Sequence, residues 1–279
     1  MNLEKLKKEI EAGVAKANFS LRTDVAGLLK LGLKGEKKKE AKQALNWILD
    51  NAKIAKAEKL PICQDTGLPV VFIEAGSGIK VSASLIEVIK AAVANGYKKN
   101  CLRPSIIDPL LRGKPTYSGM IYHLDFSIKQ KGLKITIFPK GFGSENKSNL
   151  KMFNPTASLK QIEDFIVESV NAAGPESCPP FIVGVGIGGT SDTALLLAKK
   201  ALLGRIDKPN PDKLLNGLEK QLLKRINASG IGPMGLGGKC SSLAVKIKKL
   251  PTHIAGLPVG VNISCHALRS ASIRINDNL

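Results

Sequence analysis

Aromatic residues are scarce in this chain, 4% of the total with a single tryptophan. Platforms that stack unpaired bases need several of them. The excess of 42 basic over 23 acidic residues, a net charge of +19, is therefore weak support for a nucleic-acid partner. The lysines are also spread out, with short runs only at Lys37 to Lys39 and Lys246 to Lys249. A positive field of this kind suits an anionic substrate. Long apolar runs are missing too. The stretch from Pro180 to Ile187 is far too short to span a bilayer, so no membrane association is expected. The N-terminal MNLEKLKKEIEAGVAKA is charged and helix-periodic, without the apolar core and cleavage site of a signal peptide. A cytoplasmic location is the expectation. No two of the five cysteines have CxxC spacing, which leaves a zinc ribbon or local zinc finger unsupported. A disulfide framework is not expected in a cytosolic chain of this size.

What is present is a globular composition, 43% hydrophobic over 279 residues, enough for one large domain or two modest ones. Residues 3–58 read as mostly helical, with Leu3, Leu6, Ile10 and Val14 on one stripe and a second helix from about Glu36 to Ala57. LPVVFIEAG within 67–76 reads as a buried strand. A helix is expected over 82–97, with Gly96 as its stop. The segments 121–127 and 133–139 flank a polar KQKG and suggest a hairpin. Residues 139–156 read as a loop. Helices are expected at 158–173, after Thr190, and at 211–227. Strands are expected at FIVGVGI, Ser242 to Lys248 and Val259 to Ser264. These patterns indicate an α+β fold in one compact domain spanning 1–279.

Three cysteines sit at element boundaries: Cys63 in PICQDTG, Cys178 in ESCPPF and Cys265 in NISCHALR. Each could simply pack, as free cysteines often do. Their polar and proline-bearing neighbours also suit ligands presented beside rigid elements. Three thiolates can hold a cubane and leave one iron open, and an open iron is a Lewis acid. Gly184, Gly186 and Gly189 satisfy GxGxxG between a strand and a helix. The sequel a dinucleotide site requires is missing, because GRIDKPNPDK follows the helix in place of a second strand ending in an acid. Tight packing is the better reading of these glycines.

The motifs PICQDTG (61–67), CLRPSIIDPL (101–110), PKGFGSENKS (139–148), CPPFIVGVGIGGTSD (178–192), GIGPMGLGGK (230–239) and LPTHIAGLPVGVNISCHALR (250–269) occur in one order over nearly the whole chain. In this the chain resembles the class I, iron–sulfur-dependent fumarate hydratases and the related L-tartrate dehydratases. It is similar to their alpha subunit, equivalent to the N-terminal half of single-chain members. The resemblance implies a class I fumarase N-terminal-domain-like fold. It implies a 4Fe-4S cluster with one open iron, ligated by Cys63, Cys178 and Cys265. Cys240 is the rival to Cys265, and Cys101 reads as a packing residue beside Arg103. The resemblance also makes Arg103 a substrate-carboxylate ligand, a role that suits a guanidinium fork. Gln64 and Asp65 would line the substrate site. Gly141 and Gly143 would let main-chain amides approach a carboxylate. His253 would be the active-site histidine, paired with Asp65 as the acid for the departing hydroxyl.

The reaction so implied is reversible hydration of fumarate to L-malate in the tricarboxylic acid cycle. Dehydration of tartrate to oxaloacetate is the alternative, and a nonenzymatic iron–sulfur sensor a remoter one. The implied partners are a small dicarboxylate substrate and a beta subunit supplying the remaining substrate contacts and the base. The expected assembly is a heterotetramer.

Overall fold

The computed structural model describes residues 2–127 and 131–275. The expected α+β class is what the chain adopts. Its residues gather into two compact units, each built on its own four-stranded sheet.

The first unit comprises residues 1–21, 54–142 and 269–279. Its sheet runs in the order β2 (Ile121–Ser127), β1 (Leu68–Gly76), β3 (Leu133–Lys140), β8 (Ala271–Ile275). Helix α1 (Leu3–Phe19) buries Leu6, Ile10, Val14 and Ala17 at helical spacing. It packs beside α4 (Ala83–Lys99), whose N-cap Ser82 accepts from the Leu85 amide. Gly96 does not stop α4. It lies inside the helix, where a Cβ would meet Val14 at 2.9 Å, so it is the point of closest helix–helix approach. The expected hairpin is also corrected. Strands 121–127 and 133–140 exist but do not pair. β1 stands between them, parallel to β2 and antiparallel to β3. β1 is buried along nearly its whole length, and a strand apolar on both faces is driven to the centre of a sheet. β2 keeps its side chains partly in solvent and takes the edge. Part of the KQKG segment lies outside the described residues.

The second unit comprises residues 22–53 and 143–268. Its sheet runs β4 (Asn149–Phe153), β7 (Leu257–Ser264), β5 (Phe181–Gly189), β6 (Ser242–Thr252). Alternation along β5 decides what covers each face. Phe181, Val183 and Val185 join a core with Phe165, Ile166 and Val170 of α6 (Leu159–Ala173) and Leu218, Leu222 and Ile226 of α8 (Lys213–Asn227). Gly184 and Gly186 face the other way, under α7 (Ser191–Ala201). A Cβ on Gly184 would lie 2.1 Å from the Ala198 carbonyl, and one on Gly186 2.0 Å from that of Ala194. The first two GxGxxG glycines thus seat a helix on a strand at backbone contact, and the third, Gly189, lies against the Thr193 side chain. Gly186→Ala is expected to cost about 3 kcal/mol, read as a lowered midpoint in denaturant unfolding of the full chain.

Two further helices precede this sheet in sequence, α2 (Thr23–Gly35) and α3 (Lys39–Glu58). The segment expected as a loop at 139–156 instead holds a short helix, α5 (Phe142–Glu145), and β4. β4 and β8 are five-residue edge strands, too short to show a periodicity against glycine- and serine-rich neighbours.

Candidate active site

In the first unit the chain leaves α3 and turns through Cys63, Gln64, Asp65, Thr66 and Gly67 before entering β1. Several contacts fix this turn. The Ile62 amide donates to the Asn18 carbonyl at the end of α1. Gly67 has φ +78°, and a Cβ there would lie 2.7 Å from the Pro139 carbonyl carbon, so only glycine fits. The buried Tyr97 hydroxyl lies 3.1 and 3.2 Å from the Thr66 and Gly67 carbonyls. Burial pushes this phenol well above its ordinary range, so it serves as a neutral donor.

Asp65 is held at both oxygens. Its Oδ1 accepts from the Gly67 amide at 2.9 Å and its Oδ2 from the Phe142 amide at 2.8 Å. A Cβ on Gly141 would stand 3.3 Å from that same Oδ2. The glycine of GFGSEN therefore gives the main chain close access to a carboxylate, but the carboxylate present is Asp65's own. Arg103 reaches the same turn through its main chain. Its amide donates to Thr66 Oγ1 at 3.0 Å, and that hydroxyl lies 3.4 Å from the Arg103 carbonyl. The Arg103 side chain is exposed. Cys63 is half-buried with its thiol 3.5 Å from Gln64 Oε1. The fold of this unit thus brings together Cys63, Gln64, Asp65, Arg103 and Gly141.

In the second unit, antiparallel pairing of β5 with β7 puts the start of one beside the end of the other, with Ile182 opposite Ser264. Cys178, just before β5, and Cys265, just after β7, therefore fall at one end of the sheet. His266 joins them. Its main-chain amide and its Nδ1 lie 3.3 and 3.0 Å from the Cys178 carbonyl. A carbonyl can only accept, so Nδ1 carries the proton. Cys178 has φ 52°, a left-handed conformation uncommon for a residue with a Cβ. Neither cysteine is in a disulfide, and both are half-buried.

Gly143 has no neighbour nearer than 3.8 Å to a Cβ, and its carbonyl accepts from Ser177 Oγ at 3.3 Å. Glu145 in the same loop is held by Lys199 at 2.5 Å and by Asn262 Nδ2 at 2.8 Å. Lys147 pairs with Glu176 at 2.6 Å. His253 is exposed in the β6–β7 turn, where its Nδ1 accepts from the Ala255 amide at 3.2 Å. His253 belongs to the second unit and Asp65 to the first.

The other two cysteines differ in kind. Cys240 is buried under α2, where a Cβ on Gly32 would come within 2.8 Å of its sulfur. Burial, reinforced by the charge of Glu36, pushes its thiol up to about 11. A thiol held protonated is a poor ligand and nucleophile. Cys101 is not a packing residue. It is exposed, with φ 51°, just past the end of α4, where the chain must leave the helix. Alkylation of the cluster-free chain at about pH 8 is expected to modify Cys101 rapidly and Cys240 slowest of the five. Peptide mapping over time checks this.

Sequence reasoning missed Thr66, whose hydroxyl ties the turn to the Arg103 main chain, and Tyr97 and Arg269, which donate to the turn's carbonyls. Among the described residues no three His, Cys, Asp or Glu side chains form a group tight enough for a single metal ion. A cubane makes a different demand, since its ligands stand at the corners of a body several atoms across. The donor set suits one: half-buried cysteines outside any disulfide, at strand and helix ends.

The sequence model of the family described as fumarate hydratase (fumerase) matches residues 7–274. The chain belongs to this family, the class I fumarate hydratase and tartrate dehydratase alpha group, and is a hydro-lyase. It is 42% identical over 266 residues to a Methanocaldococcus jannaschii protein named "Putative L(+)-tartrate dehydratase subunit alpha", covering 93% of each chain. It is 29% identical over 282 residues to the L(+)-tartrate dehydratase subunit alpha of Escherichia coli strain UTI89, covering 99% of this chain and 93% of that one. The namesake of strain K12 is 28% identical over 281 residues. Among the described residues no helix is long and apolar enough to cross a membrane.

Proposed function

We propose that the protein is the alpha subunit of an L(+)-tartrate dehydratase, removing water from tartrate to give oxaloacetate. The observation that carries this is 42% identity, over 93% of both chains, to a relative bearing that name. The more distant relatives bear it as well. Hydration of fumarate is the second reading, favoured by the family description. Residues 1–279 act as one catalytic domain, and the enzyme works in the cytoplasm with a beta subunit in a heterotetramer.

Cys63, Cys178 and Cys265 are the ligands of a 4Fe-4S cluster, which when bound supplies an iron with no protein ligand as a Lewis acid for substrate oxygen. The chain's own residues do the rest. Arg103 offers an exposed guanidinium to a substrate carboxylate. Gln64 and the main chain at Gly141 and Gly143 border the substrate. His253, whose Nδ1 accepts a main-chain hydrogen bond, carries its proton on Nε2 when neutral. With Asp65 it passes that proton to the departing hydroxyl. The base that takes the carbon-bound proton comes from the beta subunit.

Anaerobic reconstitution of the alpha chain with its beta partner tests the proposal, with assays on L(+)-, D(−)- and meso-tartrate, malate and fumarate. Preference for L(+)-tartrate in kcat/KM is expected. A preference for malate and fumarate would replace the first reading by the second. Full turnover by the alpha chain alone would contradict the shared site.

A further inference from the structure

Arg269 follows the last cysteine motif by four residues and is only 3% exposed. Its Nη2 donates to the main-chain carbonyl of Asp65. Its Nε and Nη1 have no partner in the described structure. One bond to a carbonyl could be made by a neutral side chain. Burying a guanidinium for it is expensive, several kcal/mol before compensation, and it leaves donor capacity that the fold does not use.

The surroundings indicate what this cation serves. The Tyr97 hydroxyl feels the Arg269 charge in one direction and the Asp65 charge in the other, beneath the larger effect of burial. Arg269, Asp65 and Tyr97 therefore share one neighbourhood within the first unit. Asp65 has its two carboxylate oxygens set by the Gly67 and Phe142 amides. Tyr97 holds the next two carbonyls, of Thr66 and Gly67. The remaining handle on Asp65 is its own carbonyl, and Arg269 takes it.

We infer that Arg269 is a positioning residue for Asp65, a buried cation that locks the main chain of the QDTG turn so that the carboxylate meets the reacting hydroxyl in one orientation. This rests on the proton-handling role proposed for Asp65. Misplacing a reacting group by about 1 Å can cost about a hundredfold in rate, which sets the size of effect expected.

The test uses the reconstituted alpha–beta holoenzyme with Arg269→Lys, Arg269→Gln and Arg269→Met, reading kcat, KM, iron content and thermal midpoint. Arg269→Met is expected to lower kcat about a hundredfold while KM and iron content stay near wild type. Arg269→Lys, which keeps the charge and a donor, is expected to recover about tenfold of that loss, and Arg269→Gln less. Should Arg269→Met fail to fold, the ratio of kcat between the Lys and Gln variants carries the comparison. Wild-type kcat in Arg269→Met or Arg269→Gln would overturn the inference. So would equal losses in all variants accompanied by loss of iron, which mark a merely structural role. An active wild type with an inactive Asp65→Asn and an unimpaired Arg269→Met overturns this inference alone. An inactive wild-type holoenzyme overturns the inference together with the reading on which it rests.

Discussion

Serine at position 63, 178 or 265 is expected to leave the reconstituted enzyme with less than about a thousandth of wild-type turnover, while Cys101→Ser leaves turnover intact. A thousandfold loss is about 4 kcal/mol of transition-state stabilisation, in the range of several kcal/mol that a Lewis-acid metal supplies. The three positions share an environment: half-buried thiols where the chain enters or leaves a regular element. Serine there keeps the shape and removes the soft sulfur donor that iron–sulfur clusters require. Cys101 is exposed past the end of α4 and lies outside the proposed ligand set. The check is paired, iron and acid-labile sulfide content beside turnover for each variant. A Cys63→Ser enzyme with full cluster and full rate would remove that residue from the ligand set.

Asp65→Asn is expected to lower kcat by about a thousandfold, within the range for a positioned acid–base group, with cluster content retained. Both carboxylate oxygens accept main-chain amides, from Gly67 and from Phe142. An asparagine can satisfy only one of them and turns its NH2 donor against the other. The substitution thus removes the proposed proton carrier and also loosens the contact between the QDTG turn and the Phe142 amide. Steady-state kinetics on L(+)-tartrate separate the effects. Loss of the proton role falls on kcat, whereas loss of substrate contact raises KM. A variant with wild-type kcat would place the proton chemistry elsewhere.

How legible this site was depends on which contacts are local in sequence. PICQDTG, GFGSEN and the prolines around Cys178 mark turns because their residue types restrict the backbone over a few positions. The strand character of 68–76 was legible from its continuous apolar run. The neighbours of that strand were not. Residues 121–127 and 133–140 are adjacent in sequence and look like a hairpin, yet β1, which ends at Gly76, comes between them. Burial on both faces of β1, which no local pattern in its neighbours reveals, decides that order. Gly96 was misread for a related reason. Glycine ends helices often, but this one is needed against Val14, a residue of another helix.

The supporting contacts of Asp65 were the hardest to foresee. Arg269 sits in HALRSAS, a mixed stretch in which nothing local marks the arginine for burial. Its burial comes from long-range packing, 204 positions from the carbonyl it holds. Tyr97, at the end of the helix expected over 82–97, supplies the other support. The GxGxxG segment shows the opposite outcome. The missing sequel argued against a nucleotide, and the glycines meet α7 at backbone distance.

The most direct measurement is anaerobic reconstitution of the alpha chain with its beta partner, followed by spectroscopy of the iron with and without L(+)-tartrate. Cysteines 63, 178 and 265 together predict about four irons and four sulfides per alpha chain, and a spectrum that shifts when the hydroxy acid binds. An enzyme that dehydrates tartrate at full rate without iron, or a cluster indifferent to both substrate and the three serine substitutions, would contradict the account.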